Sequence, residues 1–225
     1  MKQAETESSA SSGRSPRQVR RASAAVIICV MPAVYDRLAA FYDLAFSPLE
    51  KRFLQRWRGE ALAELPRESR ILELGCGTGA NFAFYPPFSL AVSSELSAKM
   101  LEKAAGRKAA NHLVQCDAQK LPFPDNAFDA AFATLVFCSI PDPQAAFFEV
   151  MRVLVPGGRL VLLEHVRPPG LGGKVFDALN VLTVALIDDH FNRETSRIAA
   201  EAGLELVEVR SKARGAVNLI VCRNP

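Results

Sequence analysis

The run Ile71-Leu72-Glu73-Leu74-Gly75-Cys76-Gly77-Thr78-Gly79 joins an apolar, β-rich segment to three glycines spaced two apart. Glycine lets the backbone turn sharply and lets a ligand approach main-chain N–H groups without a Cβ in the way. The pattern predicts a buried strand, a tight turn and then a helix. Alone, such a loop is shared by many nucleotide-binding proteins. Twenty positions after Gly75, at the expected end of a second strand, comes Glu95, placed to accept hydrogen bonds from two ribose hydroxyls.

From residue 69 onward, short β-rich runs alternate with helical patterns, which is the signature of a parallel sheet with crossover helices. Strands are predicted at 70–74, 90–94, 112–115, 128–134, 159–164, 204–210 and 217–222. Two helices are best defined. One spans 97–108 with Ser97 as N-cap, and one spans 144–154, closed by Pro156-Gly157-Gly158. Only a few residues, including Gly215, separate the final two strands, so these pair antiparallel as a hairpin.

Two features separate the adenosine cofactors that would use Glu95. Cys116-Asp117-Ala118 follows the third strand, where a carboxylate accepts from an adenine amino group and the next backbone N–H meets a ring nitrogen. The spacing GxGxG also departs from the GxGxxG fingerprint, whose helix N-terminus receives a pyrophosphate. Glu73 adds a negative charge beside the loop, unfavourable to a pyrophosphate and favourable to an ammonium group. These features favour S-adenosylmethionine over NAD.

With these residues in place, the chain resembles the class I S-adenosylmethionine-dependent methyltransferases, in the broad group that includes quinone, phospholipid and small-molecule enzymes. The matching segments are ILELGCGTG (71–79), SSELSAKML (93–101), CDAQKLPFPDNAFDAAF (116–132) and EVMRVLVPGGRLVLLEH (149–165). The resemblance covers residues 34–222. It implies a Rossmann-like α/β fold: a seven-stranded, mostly parallel sheet with an antiparallel last strand, and here an N-terminal helical cap at 31–68. Carried over by motif, Gly75, Gly77 and Gly79 line the cofactor, Glu95 with Leu96 holds the ribose, and Asp117 with Ala118 meets the adenine. Ser93-Ser94-Glu95 departs from the family, where a glycine often precedes an aspartate. Ser94 is therefore expected to crowd the ribose and shift the loop.

Thr134 to Pro141 follows the fourth strand, at the carboxyl edge where open α/β sheets bind ligands. The Leu135 backbone is expected against the cofactor, and Phe137 and Cys138 in the acceptor pocket. Cys138 reads as a pocket-lining thiol, since methyl transfer from a sulfonium needs no covalent intermediate. His165 and Arg167, past the fifth strand, are the general-base and anion-contact candidates, with a satisfied structural histidine as the other reading of His165. Tyr42 and Tyr35, in YDRLAAFYDLAFSPLE, are candidate lid residues over the methionine end, Tyr42 also a catalytic candidate; packing of the cap is their alternative role. His112 with Cys116, and Asp188-Asp189-His190, do not make convincing metal sites, and no metal is expected.

Of 27 basic and 24 acidic residues, five basic and two acidic ones fall in residues 1–30, leaving a body of 22 and 22. A neutral body lacks the basic footprint of nucleic-acid binding. Five scattered cysteines without a CxxC pair read as reduced thiols in a cytoplasm. Arg20 and Arg21 precede the apolar run 22–30, as in a secretory signal, but the run is too short to span a bilayer and no convincing small-x-small cleavage site follows. Residues 1–30 are read as a disordered tail or an extension upstream of Met31, and 69–225 as the catalytic domain. Apolar residues between 175 and 186 suit a greasy pocket, a peripheral contact with the inner membrane face or ordinary core. The expected partner is a small-molecule or lipid acceptor such as a phospholipid headgroup, quinone or thiol. A nucleotide-dependent oxidoreductase and a noncatalytic S-adenosylmethionine-binding protein are the competing classes.

Overall fold

In the computed structural model, the described residues are 53–107, 109–168, 170, 173–174, 177 and 193–225. The cap residues Tyr35 and Tyr42, the run 175–186 apart from Asp177, and His190 lie outside them, as do residues 1–52. Helix α1 (Gln55–Leu62) leads into β1 (Arg70–Leu74) and β2 (Leu90–Glu95), then α2 (Ala98–Ala105) and β3 (His112–Gln115). The second half runs β4 (Phe128–Thr134), α3 (Pro143–Val153), β5 (Leu154–His165), α4 (Thr195–Glu201), β6 (Glu205–Lys212) and β7 (Val217–Arg223).

The seven strands form one sheet in the order β3-β2-β1-β4-β5-β7-β6. β1 to β5 are mutually parallel along that order, and β7 runs antiparallel to both β5 and β6. The predicted hairpin is therefore present, and it inserts β7 between β5 and the edge strand β6. Both faces of the central strands are covered, as a parallel sheet requires. Leu72 and Leu74 of β1 join Phe147 and Val150 of α3 on one face. Ile71, Phe132 and Val161 meet Ala61 and Leu62 of α1 on the other.

Local chemistry explains most boundaries. The Ser97 side chain accepts from the Met100 N–H, the expected N-cap of α2. Asp142 caps α3 by accepting from Ala145 N, and Pro143 occupies the first turn, where its missing N–H costs nothing. β5 starts at Leu154, five residues before the predicted start, because Leu154 already pairs with Phe128 and an irregularity absorbs Pro156-Gly157-Gly158 before Arg159 resumes the ladder. The helix predicted after the glycine loop does not form. Only a 3-10 turn at Phe82–Phe84 follows, and Tyr85 leaves it extended ahead of Pro86 and Pro87.

Candidate functional site

The carboxyl edge of β1 and β2 carries the glycine loop and Glu95. Gly75, Gly77 and Gly79 all have positive φ, but a Cβ at each would meet different surroundings. At Gly75 it would lie 2.6 Å from a Val136 methyl, and at Gly79 it would lie 2.6 Å from the Phe82 ring. At Gly77 it would meet nothing within 4 Å. Two of the glycines thus let the loop pack on its neighbours, and the middle one leaves an open approach to the backbone.

Glu95, at the end of β2, faces the same turn. Its Oε2 accepts from Gly77 N at 2.9 Å and its Oε1 from Ser97 N at 2.9 Å. One carboxylate therefore ties the glycine loop to the start of α2. Ser94 does not crowd this edge: it is buried, and its hydroxyl donates to the Glu73 carbonyl at 2.9 Å. The expected loop shift has no steric cause here. The Leu96 carbonyl accepts from Gln115 Nε2 at 3.0 Å, which joins the loop after β2 to the end of β3. Asp117, after β3, accepts from Gln119 N at 2.9 Å and from the Gln119 side-chain amide. Ala118 packs, half-buried, against the main core.

Glu73 lies deeper than the sequence suggested. It is fully buried, with Oε1 accepting from Asn81 Nδ2 at 2.6 Å and Oε2 accepting from the Tyr85 hydroxyl. Asn81 also donates to Thr134 Oγ1 at 2.9 Å and accepts from Arg58 of α1 at 2.8 Å. Burial pushes the Glu73 carboxyl above the ordinary carboxylate range, against the opposing pull of the Tyr85 and Asn81 hydrogen bonds and the Arg58 charge. Its first role in this structure is to brace the glycine loop from below. The network was not legible in the sequence, because Arg58, the Asn81–Tyr85 turn and Thr134 come from three separate segments and share no motif.

The β4 exit is also strained. Leu135 holds φ +60°, a region that non-glycine residues seldom adopt, and its N–H donates to Leu163 O at 2.7 Å. The next two N–H groups, Val136 and Phe137, donate to Oε1 of the buried Glu164 at 3.0 and 3.1 Å. Glu164 was missed by sequence reading, although a carboxylate inside an apolar strand is a visible signal. Phe137 corrects an expectation. Its ring is fully buried and stacks on Phe147 at a centroid distance of 4.3 Å, so it belongs to the core and does not line an open pocket. Cys138 is likewise buried.

His165 ends β5, half-buried and paired in the ladder with Val217. Arg167 is exposed and holds Asp177 at 2.8 Å, so its charge is already met by a carboxylate of this chain. The structure brings the glycines, Glu95, Leu96 and the Leu135 turn to one sheet edge. Arg167 stands apart, beyond the end of β5. Burial raises the Cys116 thiol to about 11 and pushes Cys76 up as well, so neither is an activated nucleophile. Among the described residues no cluster of three His, Cys, Asp or Glu side chains could hold a metal, and no helix is long and apolar enough to cross a membrane.

Comparison with known proteins places this edge in context. The methyltransferase domain family matches residues 72–162, from β1 through β5. Cycloartenol-C-24-methyltransferase 1 of Oryza sativa subsp. japonica is 29% identical over 76% of this chain and 60% of its own length. Demethylmenaquinone methyltransferase of Thermus thermophilus is 37% identical over 64% of this chain and 70% of its own. The chain spans 45% to 60% of the length of the first four curated relatives. In fold, it resembles a SAM-dependent methyltransferase structure from Thermotoga maritima, with a TM-score of 0.69 and 24% identity over 87% of this chain and all of the other. Sheet order, glycine loop and sequence relationship agree, and the chain belongs to the S-adenosylmethionine-dependent methyltransferase family.

Proposed function

We propose that this chain binds S-adenosylmethionine at the β1–β2 edge and transfers its methyl group to a small lipophilic acceptor. The observation that carries the reading is the Glu95 carboxylate held 2.9 Å from Gly77 N, at the one glycine of this loop whose outer side is open. A carboxylate at that position suits a pair of ribose hydroxyls, and the open turn gives room for the nucleoside. Asp117 and the Ala118 N–H would meet the adenine, and the Leu135 backbone the methionine portion. The bound sulfonium supplies an activated methyl group and needs no metal.

The chain's own residues then have to align and dry the reaction. Oriented reactants in a near-attack geometry account for about 7–11 kcal/mol of barrier lowering in favourable cases. Strain at Leu135, held by Leu163 and Glu164, fixes the β4 exit where the acceptor would approach. His165 is the candidate base at the end of β5, with Tyr42 and Tyr35 as lid candidates and Cys138 behind the pocket wall. The acceptor class is supported by the neutral body of the sequence and by two relatives whose names specify a sterol and a quinone. The test is to titrate the protein with S-adenosylmethionine, then assay S-adenosylhomocysteine release with sterol, quinol, thiol and phospholipid acceptors and identify the product by mass. Release with a lipophilic acceptor supports the reading. Turnover only on nucleotides or proteins overturns the acceptor class, and absence of cofactor binding overturns the whole.

A further inference from the structure

A cavity of about 590 Å³ opens at the carboxyl edge of the other half of the sheet. It lies between the β5 exit, the start of α4 and the β6–β7 turn, and its walls include four cations, Arg167, Arg197, Lys212 and Arg214, against one carboxylate, Glu194. Three of the cations are already matched. Arg167 pairs with Asp177 at 2.8 Å, Arg197 with Glu194 at 2.6 Å and Glu201 at 2.7 Å, and Lys212 with Glu60. Arg214 alone has no carboxylate partner among the described residues.

The backbone presents Arg214 at a cost. Ala213 and Arg214 hold φ +47° and +57° in succession, and Gly215 follows at +90°. Hairpin turns often need positive φ at consecutive residues and favour Gly or Asn there, so Ala213 and Arg214 cost energy that those residues would avoid, and such strain gathers where a side chain must be aimed. The turn could reverse direction with Asn or Gly at these positions, yet it carries an arginine into a polar cavity. A guanidinium without a partner offers forked N–H donors that match the paired oxygens of a carboxylate or phosphate.

We infer that the β5/β6–β7 cavity is an oxyanion subsite in which Arg214 binds the carboxylate or phosphate group of an amphiphilic acceptor. The inference rests on the methyltransferase reading for its role, since it places the charged end of the acceptor against Val166 and Arg167 at the β5 exit, on the same sheet edge as the cofactor loop. Binding itself does not depend on that reading. The ion-paired Arg167, Arg197 and Lys212 serve as a fixed frame, and Arg214 supplies the uncompensated charge.

The test measures binding of octyl phosphate, octanoate and octanol to the full chain by calorimetry, with S-adenosylmethionine titrated separately. Wild type should bind at least one of the two anions about tenfold or more tightly than octanol. Arg214→Gln should reduce that preference to under threefold while leaving S-adenosylmethionine affinity and melting temperature unchanged, and Arg214→Lys should retain part of it. The two anionic arms show which oxyanion fits. Equal binding of all three probes, no binding of any, or a preference that survives Arg214→Gln overturns the subsite. Failure to bind S-adenosylmethionine with the anion preference intact overturns the methyltransferase reading instead.

Discussion

Replacing Glu95 by Gln separates the two jobs this carboxylate performs. In the folded chain both oxygens accept backbone N–H groups, from Gly77 and from Ser97, each at 2.9 Å. An amide of the same shape offers only one oxygen, so its NH₂ must face one of those two donors. Leaving a part-buried donor unmade costs about 1–3 kcal/mol, which should appear as a lower midpoint in urea. The ribose hydroxyls lose a charged acceptor as well, worth about 1.5–3 kcal/mol, or roughly a 10- to 150-fold rise in Kd. Glu95→Ala leaves both N–H groups open to water and should lose similar affinity with less harm to stability. Calorimetric titration with S-adenosylmethionine, beside a urea melt of each variant, reads both quantities. A Kd within threefold of wild type in a natively folded Glu95→Gln protein would refute the assignment of this carboxylate to the cofactor.

Gly77→Ala should cost only about 1–2 kcal/mol of stability from its left-handed backbone, yet weaken cofactor binding more than tenfold because the new methyl enters the open approach; titration and melting together check the split. Gly75→Ala should show the reverse emphasis, with the fold itself destabilised by about 1–3 kcal/mol or more as the methyl meets Val136 at 2.6 Å. Phe137→Ala should lose about 3–5 kcal/mol in denaturant titrations and, under conditions where it remains folded, keep cofactor affinity, since its ring packs on Phe147. Arg70 beside Asp129 holds that carboxyl below its ordinary range, so the pair contributes stability above about pH 4 that is lost as pH falls through the folded pKa; Asp129→Asn should flatten that part of an acid titration of melting temperature.

Much of this architecture was legible because parallel strands buried on both faces leave continuous apolar runs. β1, β3 and β4 carry the predicted boundaries. β5 was read short because proline and two glycines look like a stop, whereas one irregular register step lets the ladder continue through them. The position of Glu95 at the end of β2 followed from motif spacing. The meeting of Arg58, Asn81, Tyr85 and Thr134 did not, because it depends on how three segments pack and leaves no periodic trace. Phe137 was misplaced for a related reason: its sequence position sets it at the ligand edge, but the Leu135 turn and the Glu164 carboxylate point the chain back into the core. Asp142 before Pro143 was a readable cap that the helical pattern alone obscured.

The position of β7 between β5 and β6 has a consequence for how the protein is made. β2 to β5 can each pair with a strand already synthesised, but β6 is finished before β7, its one neighbour among the described strands, exists. Until Arg223 leaves the ribosome, the growing chain therefore carries two unmatched strand edges, one on β5 and one on β6. The β5 edge waits from His165 to Arg223, roughly 3 to 12 seconds at elongation speeds of about 5–20 residues per second, and the β6 edge waits from Lys212 to Arg223, roughly 0.5 to 2 seconds. Leu206, Val207 and Val209 stay exposed on β6 even in the finished fold, so the nascent edge is sticky as well as open. Slow codons or a stop anywhere between residues 205 and 217 should thus favour aggregation and chaperone capture far more than a pause of equal length before β5.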